Sequence, residues 1–271
     1  MRFKQVVGAV VALAAISSAH GAGFINGDFE AGNLSGWTSG GGCRSSVLNS
    51  SLSAAAFLPG GSLAGSTSGC SGTGIGGVNG GHTQIIGSGY VDPNVGAALG
   101  GAVYSGANSV RVEDTTFGGY ASVLTQTVVN YTDTDIFFAW KVVLEGAHGT
   151  NDAATMLITL TDKTDGVELI RRTYNAASGG GGVSSIFSST NNHFYTPQWQ
   201  IEQLTIGAGL SGHTFELSVL ASDCQPTGHD GYVYLDGFGA VIPPPGAPEP
   251  GSLALAGVAL AGLAAARRRK A

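Results

Sequence analysis

From Val110 onward, apolar and polar residues alternate at period two: Val110 and Val112; Ala121, Val123, Thr125 and Thr127; Ile136, Phe138, Trp140, Val142 and Leu144; Met156, Ile158 and Leu160; Phe215, Leu217 and Val219. A strand with one buried face produces that period, because successive side chains leave the pleated backbone on opposite sides. Turn residues separate the runs, as in Asp162-Lys163-Thr164-Asp165-Gly166, which parts residues 158–161 from residues 167–171. The pattern predicts an all-β chain folded as an antiparallel β-sandwich of jelly-roll type. Residues 136–144 are apolar on both parities, with Phe137 and Val143 opposing Phe138 and Trp140, so this strand is expected in the middle of a sheet.

The first half of the chain reads differently. Between Gly36 and Gly119 lie 22 of the 45 glycines, with many serines and few apolar runs. Long Gly/Ser-rich loops are expected there, over about residues 38–108, with two or three short strands.

Two terminal segments depart from the β pattern. Residues 1–22 place Arg2 and Lys4 ahead of an apolar run from Val6 to Ile16 and then Ser17, Ser18 and Ala19, the order of a secretory signal peptide with cleavage after Ala19 or Gly21. At the other end, a Pro-rich linker at 243–250 finishes in Pro248-Glu249-Pro250. Residues 251–266 contain only Gly, Ser, Leu, Ala and Val, and the basic tail 267–271 carries Arg267, Arg268, Arg269 and Lys270. A short apolar helix followed by a basic cluster reads as a weak transmembrane stop-transfer element with its C-terminus in the cytoplasm. These residues resemble the PEP-CTERM sorting signal of Gram-negative bacteria, in which the triad, the apolar helix and the Arg-rich end occur in this order. The resemblance implies transient retention in the inner membrane, cleavage near the triad by an exosortase-type membrane protease, and delivery to the cell surface or an exopolysaccharide matrix.

Removing the ends changes the charge balance. Two basic residues belong to the signal and four to the tail, which leaves 6 Lys and Arg against all 18 Asp and Glu for residues 23–250. A body that acidic has no electrostatic footprint for nucleic acid, and neutral sugars or divalent cations are the partners it leaves open.

Within residues 23–242, the opening Phe24-Ile25-Asn26-Gly27-Asp28-Phe29-Glu30 with Gly36-Trp37, and the closing Asp223-Cys224, His229-Asp230-Gly231-Tyr232-Val233-Tyr234-Leu235-Asp236, resemble the first and last strands of galactose-binding-like jelly rolls, among them carbohydrate-binding modules. In that superfamily the two strands often share a structural calcium ion, so the resemblance implies Asp28, Glu30 and Asp236 as its ligands. A looser resemblance to other PEP-CTERM surface proteins with sandwich bodies spans most of the domain.

The remaining chemistry is sparse. The histidines at 82, 148, 193, 213 and 229 are never paired at i, i+2 or i+4, so no zinc pattern is present, and a lone loop histidine reads as solvated. His148 and His229 stand beside acidic residues and are expected to converge with Asp223 at one end of the sandwich as a ligand-facing site. No nucleophile elbow, His-Glu-x-x-His helix or phosphate-binding loop occurs. The pairs Asp133/Asp135 and Asp162/Asp165 fall in apparent hairpin loops and read as solvated rather than as glycosidase acids. Of Cys43, Cys70 and Cys224, the pair Cys43–Cys70 is the favoured disulfide because it closes the Gly-rich region, while bridges to Cys224 stay open. Tyr90, Tyr104, Tyr120 and Tyr195 are the loop aromatics on which a sugar could stack. The reading is a noncatalytic exported protein associating with extracellular polysaccharide. Its alternatives are a structural or adhesive surface protein without a small ligand and, behind that, a glycoside hydrolase or an ice-binding protein, the last lacking a Thr-x-Thr ladder.

Overall fold

The computed structural model describes residues 23–71 and 82–242. The signal segment, the linker with its triad, the apolar helix and the basic tail lie outside the described residues. Among the described residues twelve strands form, in chain order, β1 (Thr38–Cys43), β2 (Gln84–Gly87), β3 (Asn108–Val112), β4 (Tyr120–Val128), β5 (Asp135–Glu145), β6 (Thr155–Asp162), β7 (Val167–Asn175), β8 (Ser188–Thr190), β9 (His193–Tyr195), β10 (Gln200–Thr205), β11 (Phe215–Ser222) and β12 (Gly231–Gly239). Among the described residues the single α-helical turn, α1, spans Ala54–Phe57. No described helix is long and apolar enough to cross a membrane.

All strand pairs are antiparallel, in two sheets. One sheet runs β1-β4-β11-β6-β7, and the other runs β2-β3-β12-β5-β9-β8, with β10 also on β5. β5 is central: β12 pairs along one side, and β10 and β9 follow each other along the opposite side, at Asp135–Trp140 and Val143–Glu145 respectively.

The inner faces of the two sheets enclose the main core. Val110 and Val112, Ile136, Phe138, Trp140, Val142 and Leu144, Met156, Ile158 and Leu160, and Phe215, Leu217 and Val219 all meet there. β4 departs from the sequence pattern: Leu124 and Val128 enter this core, whereas Ala121 and Val123 lie on the outer face. The alternation is genuine, but both faces of the strand are covered, so parity alone does not identify the inner one.

The cover comes from the glycine-rich half. Leu52 and Phe57 lie with Ala121, Val123 and Leu220 on the outside of the first sheet. Val95, Leu99 and Ala102 lie with Ile86, Val143, Tyr195, Tyr232 and Tyr234 on the outside of the second. Glycine permits the approach. A Cβ on Gly42 would lie 1.9 Å from the Leu63 carbonyl oxygen, and one on Gly40 would lie 2.2 Å from that of Phe57. The Gly-rich segment is thus an outer layer packed directly on strand backbone, and β1, β2 and β3 are the strands it contains. Cys43 and Cys70 are bonded within it, with 5.4 Å between their Cα atoms, and Cys224 is a buried free thiol.

Candidate functional site

The loops β3–β4, β5–β6 and β11–β12, together with the lead into β2 and the turn before β9, close one end of the sandwich. Loop 223–230 is its hub, because consecutive residues face different neighbours. Asp223 faces the β3–β4 loop, Cys224 and His229 face the β5–β6 loop, and Asp230 faces the turn before β9.

At the first contact, His82 is buried and stacks on Tyr120, ring centroids 4.1 Å apart. Its Nδ1 bonds the Glu113 carboxylate and lies 3.1 Å from Asp114 Oδ2. Glu113 is fully buried with φ +71°, a left-handed backbone that a side chain of its kind seldom adopts. Its Oε2 is buried without a hydrogen-bond partner. Burial raises the Glu113 pKa above the usual carboxylate value despite the His82 bond. Asp223 accepts hydrogen bonds from the amides of Tyr120 (3.2 Å) and Gly231 (3.3 Å), yet burial, reinforced by the Glu113 charge, pushes its pKa well up. A pocket of about 10 Å³, the room for about one water or one hydroxyl, opens here between His82, Asp114, Tyr120 and Asp223. Phe117, 55% exposed, stands at its mouth.

At the second contact, His193 Nε2 lies 3.1 Å from Asp230 Oδ1, and Asn94 donates to Asp230 Oδ2 at 2.9 Å. Burial opposes the charged imidazole, but the bond to Asp230, the charges of Asp230 and Glu145 and the Asn191 carbonyl together outweigh it and raise the His193 pKa. Burial and the neighbouring Asp230 raise that of Glu145. Asp92 receives the hydroxyls of Tyr232 and Tyr234, at 2.9 Å and 2.6 Å for its Oδ2.

At the third, His148 Nε2 lies 3.1 Å from His229 Nδ1, and Cys224 Sγ lies 3.4 Å from that same Nδ1. The Gly228 amide donates to Cys224 Sγ at 3.2 Å. His148 (φ +60°) and Thr227 (φ +75°) both hold left-handed backbone. Burial, with the neighbouring His148, lowers the His229 pKa.

Arg44 ties the hub to the outer layer. It is fully buried and donates to the carbonyls of Val47 (2.8 Å) and Asp223 (2.7 Å) and to Asn49 Oδ1 (2.7 Å). Burial lowers its pKa to about 10.

The structure thus brings His148 and His229 together and turns Asp223 to the neighbouring pocket. His82, His193 and His213, expected in solvent, each bond a carboxylate instead; His213 Nδ1 lies 2.7 Å from Asp162 Oδ2. Asp162, expected to be solvated, is buried for the same reason. These partners are 31 or more residues apart, so strand pairing and not sequence spacing makes the clusters. Of the loop aromatics, Tyr104, Tyr120 and Tyr195 are buried and Tyr90 is half-buried: Tyr90 and Tyr195 pack in the cluster outside the second sheet, Tyr120 stacks on His82 and Tyr104 meets Trp199. Glu113, Asp114, Asp92 and Arg44 are not singled out as site residues by the sequence, since each stands among turn-type residues of the Gly/Ser-rich half where polar side chains read as solvated.

The three residues implied for calcium lie away from this end. Asp236 Oδ2 accepts from the amides of Tyr104 (2.9 Å) and Ser105 (3.2 Å), Glu30 Oε1 accepts from those of Ala107 (2.9 Å) and Asn108 (2.8 Å), and Asp28 Oδ1 accepts from Glu30 (3.3 Å). Glu30 and Asp236 therefore address the same short segment. Burial, with the Glu30 charge, raises Asp236 well above the usual range, a like-charge pairing that a hard cation would relieve.

The architecture is that of an all-β, antiparallel two-sheet sandwich with a polar loop-built end. Residues 247–270 match the family model of the PEP-CTERM protein-sorting motif. No curated protein matches the chain. Among solved structures, the chain is similar to TmCBM61 in complex with beta-1,4-galactotriose, at 10% identity and TM-score 0.38 over 80% of this chain and 94% of that one. It is similar to CBM28, a non-crystalline cellulose specific carbohydrate-binding module, at 13% identity and TM-score 0.33 over 81% and 95%. The enzymatically active domain of bacteriophage CBA120 tailspike protein 4 gives 12% identity and TM-score 0.32 over 82% of this chain and 21% of that one.

Proposed function

We propose that the chain is an exported cell-surface or matrix protein, released by an exosortase-type protease after transient retention in the inner membrane by residues 251–266, whose sandwich associates noncatalytically with extracellular polysaccharide. The observation that carries the destination is the sorting motif at residues 247–270. Support for the ligand class comes from the acidic end, where an exposed Phe117 borders a pocket lined by Asp114, His82 and Asp223. Carboxylates accept hydrogen bonds from sugar hydroxyls, and an exposed ring offers a stacking face. The pocket admits one hydroxyl, so a glycan would lie across its mouth against Phe117. Calcium at Asp28, Glu30 and Asp236 would brace the other side of the fold.

Retention of the full chain on the host exopolysaccharide and on a glycan array tests this reading. Phe117→Ala is expected to weaken retention three- to tenfold, the worth of about 1 kcal/mol of ring stacking. Unchanged retention removes Phe117 from the site, and no retention on any polymer favours the purely structural surface protein.

A further inference from the structure

The third contact at the polar end is not needed for the sugar reading, and its donor set belongs to different chemistry. Two imidazole nitrogens and a sulfur converge from two loops, His148 lying 76 positions from Cys224 and 81 from His229, with His148 exposed, His229 half-buried and Cys224 buried. The three donor atoms lie within 4.8 Å of one another. In a tetrahedral zinc site, bonds of about 2.05 Å to nitrogen and about 2.3 Å to sulfur place neighbouring nitrogens about 3.3 Å apart and a nitrogen and a sulfur about 3.6 Å apart. Here the corresponding separations are 3.1 Å and 3.4 Å. Both separations from His229 Nδ1 are thus within about 0.2 Å of those an ion would impose, and the third, between His148 Nε2 and Cys224 Sγ, is no more than 4.8 Å.

Two further features suit a ligand set. The Gly228 amide donates to Cys224 Sγ at 3.2 Å, the kind of outer hydrogen bond that orients a metal-bound thiolate and tempers its charge. His148 and Thr227, one in each loop, both hold left-handed backbone, strain of the kind that collects at binding sites.

We propose that His148 Nε2, His229 Nδ1 and Cys224 Sγ bind one zinc-class ion, leaving a fourth position open on the side of the exposed His148. The mixed imidazole and thiolate set selects a borderline-soft transition metal over calcium or magnesium. On binding, the Cys224 thiol gives its proton to solvent and the thiolate bonds the metal, while each imidazole ligates through an unprotonated nitrogen. The ion bridges loop 146–154 to loop 223–230, the segment that also positions Asp223 and Asp230.

Cobalt(II) titration of the metal-free full chain, purified in detergent without reductant so that Cys43–Cys70 stays closed, tests the assignment. One equivalent is expected to give intense tetrahedral d–d bands and a thiolate-to-cobalt charge-transfer band, both displaced by one equivalent of zinc. Cys224→Ser should abolish the charge-transfer band, and His148→Ala, at an exposed position, should weaken zinc binding at least tenfold without moving the metal-free melting temperature. His213→Ala, in the acidic cluster at the opposite end, should change neither. Binding without a thiolate band, a band that survives Cys224→Ser, or no zinc retained after desalting would overturn the proposal. Because Phe117 is not a ligand, loss of zinc binding and loss of polysaccharide retention are separable results.

Discussion

The two ends of the sandwich carry similar residue types and use them differently. At the far end, Asp162 caps its own turn through the amides of Thr164 (2.8 Å) and Asp165 (3.3 Å) and pairs with His213. Asp135 accepts from Gln203, Thr134 and Thr205. Burial works against ionised Asp162, but those bonds prevail and lower its pKa, and hydrogen bonds led by that from Gln203 lower that of Asp135. At the hub end, Glu113, Glu145 and Asp223 are all raised, with burial as the leading cause. One end satisfies its carboxylates in place, whereas the other holds them in a costly state. Glu113 Oε2 is buried without a partner while its other oxygen bonds the His82 that lines the water-sized pocket, so the strain of this end lies directly behind the proposed binding surface.

Arg44→Met probes the hub most severely. It leaves the carbonyls of Val47 and Asp223 and the Asn49 side chain without their buried donor, and about 3–5 kcal/mol of stability should be lost. Thermal unfolding should report this as a drop of roughly 10 °C, with hydrogen exchange rising first in loop 223–230. A change within about 2 °C would mean that the hub is held by packing alone.

Paired glycine substitutions compare the ends on backbone terms. Gly42→Ala forces a Cβ against the Leu63 carbonyl and should cost about 2–3 kcal/mol. Gly166→Ala at the far end has open space and only a φ of +70° to oppose it, for about 1 kcal/mol. Equal losses in denaturant melts would show that the outer layer yields without resistance.

The smallest and most selective contrast is in pH. For the raised group Glu113, the folded protein binds the proton more tightly than the unfolded chain. Its contribution is therefore full below the ordinary value of 4.5 and lost as pH rises through the folded value. Asp162 has the opposite sign, contributing above 3.8 and losing that contribution as pH falls through its lowered value. Its partner His213, raised first by the Asp162 bond, contributes below 6.5 and loses that contribution as pH rises past its folded value. Glu113→Gln should make the protein relatively more stable at neutral pH, and Asp162→Asn relatively less stable. Melting temperature against pH for the two variants checks the signs, and parallel shifts would refute the distinction between the ends.

Much of the fold was legible in the chain. Val110 and Val112, the β5 run, Met156 to Leu160 and Phe215 to Val219 report a pleat with a buried face, and they occupy the inter-sheet core. β10 escaped notice because it turns Glu202 inward to the Trp140 indole (3.1 Å) and to Arg172, reversing the expected polarity. The glycine-rich half was legible as strand-poor, but not as an outer layer, because close backbone packing leaves no apolar signature when the contacting residue has no side chain.

By itself, the sequence determined what depends on neighbours along the chain: the strand period, the turns, and the sorting motif at 247–270, which a linear pattern suffices to define. Only the tertiary structure decided which faces were covered and which polar residues met. His148 and His229 are 81 residues apart, and Glu113 and His82 are 31 apart. Antiparallel pairing returns distant strand ends to the same edge, so the chemistry of that edge is set by topology and not by spacing.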